Sequence, residues 1–177
     1  GYQADFEGVS ERIWDATELL YICSPGHPTG HLVSDAQLQR LIELAHRHDF
    51  IIAADECYSE IYFSEERRPN SLLAASDAMG NKDFARCVVF HSLSKRSNLP
   101  GLRSGFVAGD APIIEKFLHY RTYHGCAMGT HQQHASTLAW QDEAHVQENR
   151  KRYQENFQAV TSILQPHYDL CQPAGGF

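Results

Sequence analysis

Residues 88–106, VVFHSLSKRSNLPGLRSGF, change character within a few positions. The apolar run that opens this stretch predicts a buried strand. Hydroxyl and basic side chains follow it, among them Ser92, Ser94, Lys95 and Arg103, and proline and glycine interrupt them. A solvated loop at a strand tip would explain this stretch in isolation, so the other strands decide whether it forms a binding site.

Short apolar runs recur along the chain at the length of strands. LLYIC at 19–23, FIIAA at 50–54 and CVVF at 87–90 predict three buried strands, and SGFVAG at 104–109 predicts a fourth. Helical patterns separate or follow them: one starts at a capping box of Ser34 and Gln37 and ends near His48, and others cover about 111–122, 129–141 and 143–164. Buried strands linked by helices predict an α/β fold with a mainly parallel sheet and flanking helices.

Polar segments follow three of these strands directly. SPGHPTG comes after 19–23, DECY after 50–54, and HSLSK after 87–90. Ligands of open parallel sheets bind outside the carboxyl ends of the strands, so we expect the three loops to meet at one edge. Asp55 and Glu56 are neighbours at a strand end and should point in opposite directions, one to the site and one to a structural contact.

Composition excludes several classes of protein. The 177 residues are 42% apolar and 21% charged, which is typical of a folded globular chain. Fifteen basic against twenty-two acidic residues give a net charge of −7, which does not favour a nucleic-acid partner. No apolar run approaches the roughly 20 residues that span a bilayer. The five cysteines lie mostly in apolar stretches, which favours reduced thiols and a cytoplasmic location.

Two histidine groups have spacings seen in metal sites. Cys23, His27 and His31 are four residues apart, and His131 and His134 are three apart. Prolines and a glycine interrupt the first group, so it cannot lie on one helical face, and no metal site is predicted.

Three motifs together carry a resemblance to a known family. SPGHPTG, DECYSEIYF and SLSKRSNLPGLRSGF resemble, in the right order and over nearly the whole chain, the fold-type I aminotransferases of classes I and II, which use pyridoxal 5′-phosphate. SKRSNLPGLRSGFVAGD and YRTYHG are similar, more narrowly, to the N-succinyldiaminopimelate aminotransferases of the lysine pathway.

The resemblance implies three catalytic residues. Lys95 would form the Schiff base with the cofactor aldehyde and later shuttle the proton between the substrate Cα and the cofactor. Asp55 would keep the pyridine nitrogen protonated, and Tyr58 would bond the ring oxygen of the cofactor.

The resemblance also implies further cofactor-binding residues. Ser92 and Arg103 would bind the phosphate, with Ser94 beside them. His27 stands where the family usually has asparagine, and its imidazole is a candidate donor to the cofactor ring oxygen. A cis peptide bond is implied before Pro28.

The resemblance further implies how the chain is divided. Residues 1–143 would form part of the cofactor-binding large domain, and residues 144–177 the interdomain helix and the start of the small domain. Both ends look cut, because DLCQPAGGF at 169–177 resembles a strand entering a Gly-Gly turn, so we expect a fragment of a longer enzyme that is inactive alone.

The expected reaction is transamination between an amino acid, glutamate, and a 2-oxo acid or semialdehyde-type acceptor such as N-succinyl-2-amino-6-oxopimelate. The complete enzyme would be a homodimer with small-molecule substrates and no nucleic-acid or membrane partner. Two alternatives stay open: another enzyme of this scaffold, such as a β-lyase or decarboxylase, and a non-catalytic cofactor-binding module of the kind found in transcription regulators. The second would be joined to a DNA-binding segment, and neither such a segment nor basic charge is present in these residues.

Overall fold

A computed structural model of the chain describes residues 3–170 and 172–176. It contains the strands β1 (Leu19–Cys23), β2 (Ile51–Asp55), β3 (Cys87–Ser92) and β4 (Gly105–Gly109). The helices are α1 (Glu11–Asp15), α2 (Asp35–His48), α3 (Leu72–Ala78), α4 (Leu93–Arg96), α5 (Ala111–Tyr123), α6 (Thr130–Gln141) and α7 (Ala144–Leu164). Two short 3₁₀ turns cover Glu65–Arg67 and Pro100–Leu102.

The four strands form one sheet in the order β1-β2-β3-β4. β1 pairs with β2 and β2 with β3 in parallel, whereas β4 runs antiparallel to β3. The prediction of an α/β fold with a mainly parallel sheet and flanking helices is therefore confirmed. β3 runs two residues further than its apolar core and ends at Ser92, so the sheet itself carries a polar site candidate.

The core lies between the sheet and helices α1, α2 and α3. The predicted capping box of α2 is present: Ser34 Oγ accepts the Gln37 backbone N–H at 3.3 Å, and Gln37 Oε1 accepts the Ser34 N–H at 3.0 Å. The largest fully buried apolar side chains include Leu38, Leu41, Ile42, Phe50, Ile52, Leu72 and Val89. This packed layer fixes the strand ends, because helix and sheet share one apolar interface.

Several parts of the chain differ from the sequence prediction, among them α3 and residues 169–177. Helix α3 was not predicted, because its two turns are too short to show a helical period; Ser71 Oγ caps it by accepting the Leu73 N–H at 3.2 Å. A strand at 169–177 was predicted, but the described residues there form only one antiparallel bridge, between Gly175 and Tyr62. Cys171 and Phe177, which belong to that prediction, lie outside the described residues.

Within residues 3–170 and 172–176, no helix combines the length and apolar character needed to cross a bilayer.

Candidate active site

The carboxyl ends of β1, β2 and β3 lie at the same edge of the sheet. Cys23 and Asp55 end their strands and pair with each other, and Asp55 pairs with Phe90, two residues before β3 ends at Ser92. The sequence predicted this convergence, and the structure confirms it.

The loop after β1 is tied to the end of β2. The Ser24 backbone N–H donates to the Asp55 carbonyl at 3.2 Å, and Ser24 Oγ accepts the Val33 N–H at 3.1 Å. The expected cis peptide bond between His27 and Pro28 is present. His27 is exposed, and its ring centroid lies 5.8 Å from that of Tyr58, so the loop brings its imidazole to the predicted site.

The base of the same loop rests on residues near the end of the chain. Gly30 has φ +63°, and its carbonyl accepts the N–H groups of Ala174 at 3.1 Å and Gly175 at 3.2 Å. A Cβ atom on Gly30 would lie 2.3 Å from Pro173 Cβ, so only glycine fits. Sequence reasoning missed this contact, although the Gly175-Gly176 pair was a visible signal that the backbone approaches something closely.

Asp55 and Tyr58 project from the end of β2. Asp55 is exposed, and its Oδ1 accepts the Cys57 backbone N–H at 3.0 Å. Burial, and then the neighbouring Cys23 and Asp55, raise the pKa of Tyr58 above its usual value, so its phenol stays protonated and able to donate. Burial and Asp55 also raise the pKa of Cys57 to about 12, which keeps this thiol neutral near pH 7.

Glu56 turns away from the site, as the alternation of a strand predicts. It is 3% exposed and accepts the Leu72 backbone N–H at 2.8 Å, where α3 begins. Its other oxygen lies 3.0 Å from His91 Nε2. Asp55 is therefore the carboxylate that faces solvent at the strand ends, and Glu56 is the structural one.

Lys95 lies in α4, which begins directly at the end of β3. Ser92 Oγ caps this short helix by accepting the Ser94 N–H at 3.0 Å, and the two hydroxyl oxygens are 2.8 Å apart. Lys95 is half-buried, and its Nζ lies 5.6 Å from the centre of the Tyr58 ring. The structure thus brings together the lysine, the phenol and the two serines that the sequence predicted.

Arg103 precedes Ser104, whose backbone lies beside Ser92 and Leu93. The carbonyl of its neighbour Ser104 accepts the Leu93 N–H at 3.0 Å and lies 3.2 Å from Ser92 Oγ. The Arg103 side chain is exposed and donates from Nη1 to the Pro100 carbonyl at 2.7 Å, within its own turn. Binding of this guanidinium to a phosphate stays a prediction.

The chemistry of these groups fits pyridoxal phosphate. A solvent-facing carboxylate suits a pyridinium nitrogen, a protonated phenol suits a phenolate oxygen, and hydroxyls with an arginine suit a phosphate. An amine beside these groups suits an aldehyde. In the part of the chain that the structure describes, no three His, Cys, Asp or Glu side chains are grouped so as to hold a metal ion.

Comparison with known proteins identifies the family of this chain. The family model described as Aminotransferase class I and II matches residues 1–177. The chain belongs to the class I and II aminotransferases. Enzymes of this family depend on pyridoxal 5′-phosphate.

Individual relatives match over most of this chain but less than half of their own length. An aminotransferase crystal structure from Neisseria meningitidis is 47% identical with a TM-score of 0.90, over 98% of this chain and 44% of that one. A 4-dedimethylamino-4-oxo-anhydrotetracycline transaminase of Streptomyces rimosus is 34% identical over 85% of this chain and 41% of its own. An LL-diaminopimelate aminotransferase of Maridesulfovibrio salexigens is 30% identical over 91% of this chain and 40% of its own.

Proposed function

We propose that the full-length protein is a pyridoxal-phosphate-dependent aminotransferase and that Lys95 carries its cofactor. One observation supports this most strongly: Lys95 Nζ, the Tyr58 ring and the Ser92–Ser94 hydroxyl pair converge where the strand carrying Asp55 ends.

Each residue has a role that follows from its chemistry. When bound, pyridoxal phosphate supplies an aldehyde that joins amines and a pyridinium ring that withdraws electrons. Asp55 would keep the proton on the pyridine nitrogen, and Tyr58 would donate its phenol hydrogen to the ring oxygen. Lys95 would hold the cofactor through Nζ, and the same nitrogen would accept the proton from the substrate Cα.

The phosphate and the ring oxygen have further candidate partners. Ser92, Ser94 and Arg103 would bind the phosphate, for which the Arg103 side chain would have to leave the Pro100 carbonyl. His27 offers its imidazole N–H to the ring oxygen beside Tyr58, which the 5.8 Å separation of the two rings supports.

The proposed substrates are glutamate as amino donor and N-succinyl-2-amino-6-oxopimelate as acceptor, in diaminopimelate and lysine biosynthesis. The narrow motifs SKRSNLPGLRSGFVAGD and YRTYHG support this, and so does the similarity to an enzyme named for LL-diaminopimelate. Another relative is named for a tetracycline-related transamination, so other acceptors are compared as well.

We place residues 1–143 in the large domain and residues 144–177 in the interdomain helix and the start of the small domain. Helix α7 begins at Ala144, close to this boundary. The complete enzyme is proposed to be a cytoplasmic homodimer. Helix α5 buries none of its side chains and leaves Leu118 67% and Tyr123 80% exposed, which supports a further protein surface covering it.

An amino-transfer assay on the full-length protein tests the reaction. The reaction is run in reverse: N-succinyl-LL-diaminopimelate, LL-diaminopimelate and aspartate, the amines that three different acceptors would form, are each supplied with 2-oxoglutarate, and glutamate is measured. We expect glutamate from the succinylated substrate, and none from an Asp55→Ala variant.

Other products of the same assay separate the alternatives. Ammonia with a keto acid from β-substituted amino acids would indicate a β-lyase, and carbon dioxide a decarboxylase. Cofactor binding without turnover of any substrate would indicate a non-catalytic module.

A further inference from the structure

Arg96, the residue after Lys95, is a buried cation with several partners. It is 7% exposed, and its Nη1 donates to the Ala139 carbonyl at 2.9 Å. Its Nη2 forms an ion pair with Glu143, and its guanidinium carbon lies 4.9 Å from the centre of the Trp140 ring. A buried charge must be paired, and these partners of Arg96 lie where α6 ends and α7 begins. The contacts of Arg96 therefore attach α4 to this junction.

Lys95 and Arg96 are held through their backbone as well. Asn149 Nδ2, on α7, donates to the Lys95 carbonyl at 3.2 Å and to the Arg96 carbonyl at 3.4 Å. The four-residue helix α4 is therefore fixed from outside rather than by its own length.

From Trp140, ring contacts continue back to the sheet. The Trp140 ring meets the edge of Phe106 with centroids 5.0 Å apart, and Phe106 stacks on His91 at 5.0 Å. His91 Nε2 then lies 3.0 Å from the buried Glu56 carboxylate. We call Glu56, His91, Phe106, Trp140 and Arg96 the support layer.

The support layer lies next in sequence to three residues of the site. Glu56 follows Asp55, His91 precedes Ser92, and Arg96 follows Lys95. Neighbouring residues on a strand point to opposite faces of the sheet. Glu56 and His91 therefore lie on the face of the support layer, and Asp55 and Ser92 lie on the opposite face, with the site.

We propose that the support layer positions Lys95 relative to Asp55 and Ser92, with Arg96 and Trp140 as its positioning residues. This rests on the proposed role of Lys95 as the cofactor lysine. An amine reacts with an aldehyde only when it is held at the right place, and a misplacement of about 1 Å can slow a reaction a hundredfold. Helix α4 has only four residues and cannot hold Lys95 in place alone, so the support layer fixes its position.

The test measures how fast Lys95 takes up the cofactor in cofactor-free full-length protein. Pyridoxal 5′-phosphate is added, the bond is trapped with borohydride at successive times, and the Lys95 peptide is quantified by mass spectrometry. Arg96→Met and Trp140→Ala should each slow attachment about tenfold, less than the hundredfold limit because Lys95 stays on the same helix. The double variant should be no slower than the slower single variant, because both changes break one connected layer. Trp140→Phe, which keeps a ring between Phe106 and Arg96, should restore the rate to within about twofold.

Matched controls remove side chains of the same kind elsewhere. Arg152→Met removes an exposed arginine that pairs with Glu148 on its own helix, and Tyr168→Ala removes an exposed aromatic ring; neither should change the rate. Thermal unfolding of each variant separates loss of fold from loss of placement. If Arg96→Met does not fold, Arg96→Lys, which keeps the charge but not the planar stacking on Trp140, is measured in its place.

The possible results separate the proposed function from the role of the support layer. If Lys95 of the unmodified protein takes up no cofactor, the proposed function fails and the role of the layer fails with it. If Lys95 takes up cofactor equally fast in the folded Arg96 and Trp140 variants, the layer is merely structural and this proposal alone is wrong. Independent, additive losses in the double variant would also overturn it.

Discussion

Gly30→Ala changes a glycine that lets the loop after β1 rest on residues near the end of the chain. Its φ of +63° strains any L-residue, and the added Cβ would lie 2.3 Å from Pro173 Cβ and 2.5 Å from the Gly175 carbonyl oxygen. The left-handed backbone costs about 1–2 kcal/mol. Forcing an extra carbon into a packed contact costs about 1–3 kcal/mol more. Together they predict a loss of about 2–5 kcal/mol of unfolding free energy.

Gly80 provides a matched control for the backbone strain. It also has a positive φ, of +83°, but a Cβ there would meet nothing within 4 Å. Gly80→Ala should therefore lose only the strain of about 1–2 kcal/mol. Gly101→Ala, where φ is ordinary and the space is open, should be close to neutral.

Urea unfolding of the three full-length variants without cofactor gives the stability differences, and absorbance titration gives cofactor affinity. We expect Gly30→Ala to be the least stable and to bind pyridoxal phosphate more weakly, because the loop that carries His27 must move away from Pro173. Equal stability losses in Gly30→Ala and Gly80→Ala, with unchanged cofactor affinity, would refute the idea that this contact holds the loop in place.

Three further changes test individual side chains. Asp55→Ala should fold but weaken cofactor binding about ten- to hundredfold, because it removes a charged hydrogen bond of about 1.5–3 kcal/mol. It should also nearly abolish removal of the substrate Cα proton, measured by hydrogen–deuterium exchange. Normal exchange would show that Asp55 does not make the ring withdraw electrons. His27→Asn should raise the pH midpoint of the visible cofactor band and keep or improve turnover. An imidazole can become cationic beside the ring oxygen, whereas an amide cannot. An unchanged midpoint would place His27 outside the site. Burial and Asp55 raise the pKa of Cys57 to about 12, so this thiol should react with iodoacetamide extremely slowly at pH 8 and faster as the pH rises. Asp55→Asn should speed the reaction by lowering that pKa. Fast alkylation of Cys57 in the unmodified protein would contradict this assignment.

The sequence was informative where the structure depends on local periodicity. Apolar runs and helical spacing identified the four strands and the helices α2, α5, α6 and α7 to within a few residues. In the strands and in α2, burial imposes the pattern directly. An apolar run does not encode strand direction, so nothing at 104–109 predicted that β4 is antiparallel. The short helix α3 had too few residues to show a period.

Long-range contacts were the part that the sequence could not give. Alternation predicted that Asp55 and Glu56 diverge, but not that Glu56 meets His91, 35 residues away. Nothing local in HPTG predicted that Gly30 accepts hydrogen bonds from Ala174 and Gly175. Such pairs depend on how whole elements pack, whereas the meeting of the three loops could be predicted because the ends of parallel strands lie at one edge of a sheet. The roles of Lys95, Asp55 and Tyr58 follow from the resemblance and stay predictions.

The position of the cofactor-bearing lysine decides whether Lys95 is the reactive amine of this site. The full-length protein is loaded with pyridoxal 5′-phosphate, reduced with borohydride, digested and analysed by mass spectrometry. We predict that the added cofactor mass lies on Lys95 and that Lys95→Ala loses both this mass and the visible absorption band. A band that survives Lys95→Ala, with the cofactor found on Lys82 or Lys116, would contradict the site described above.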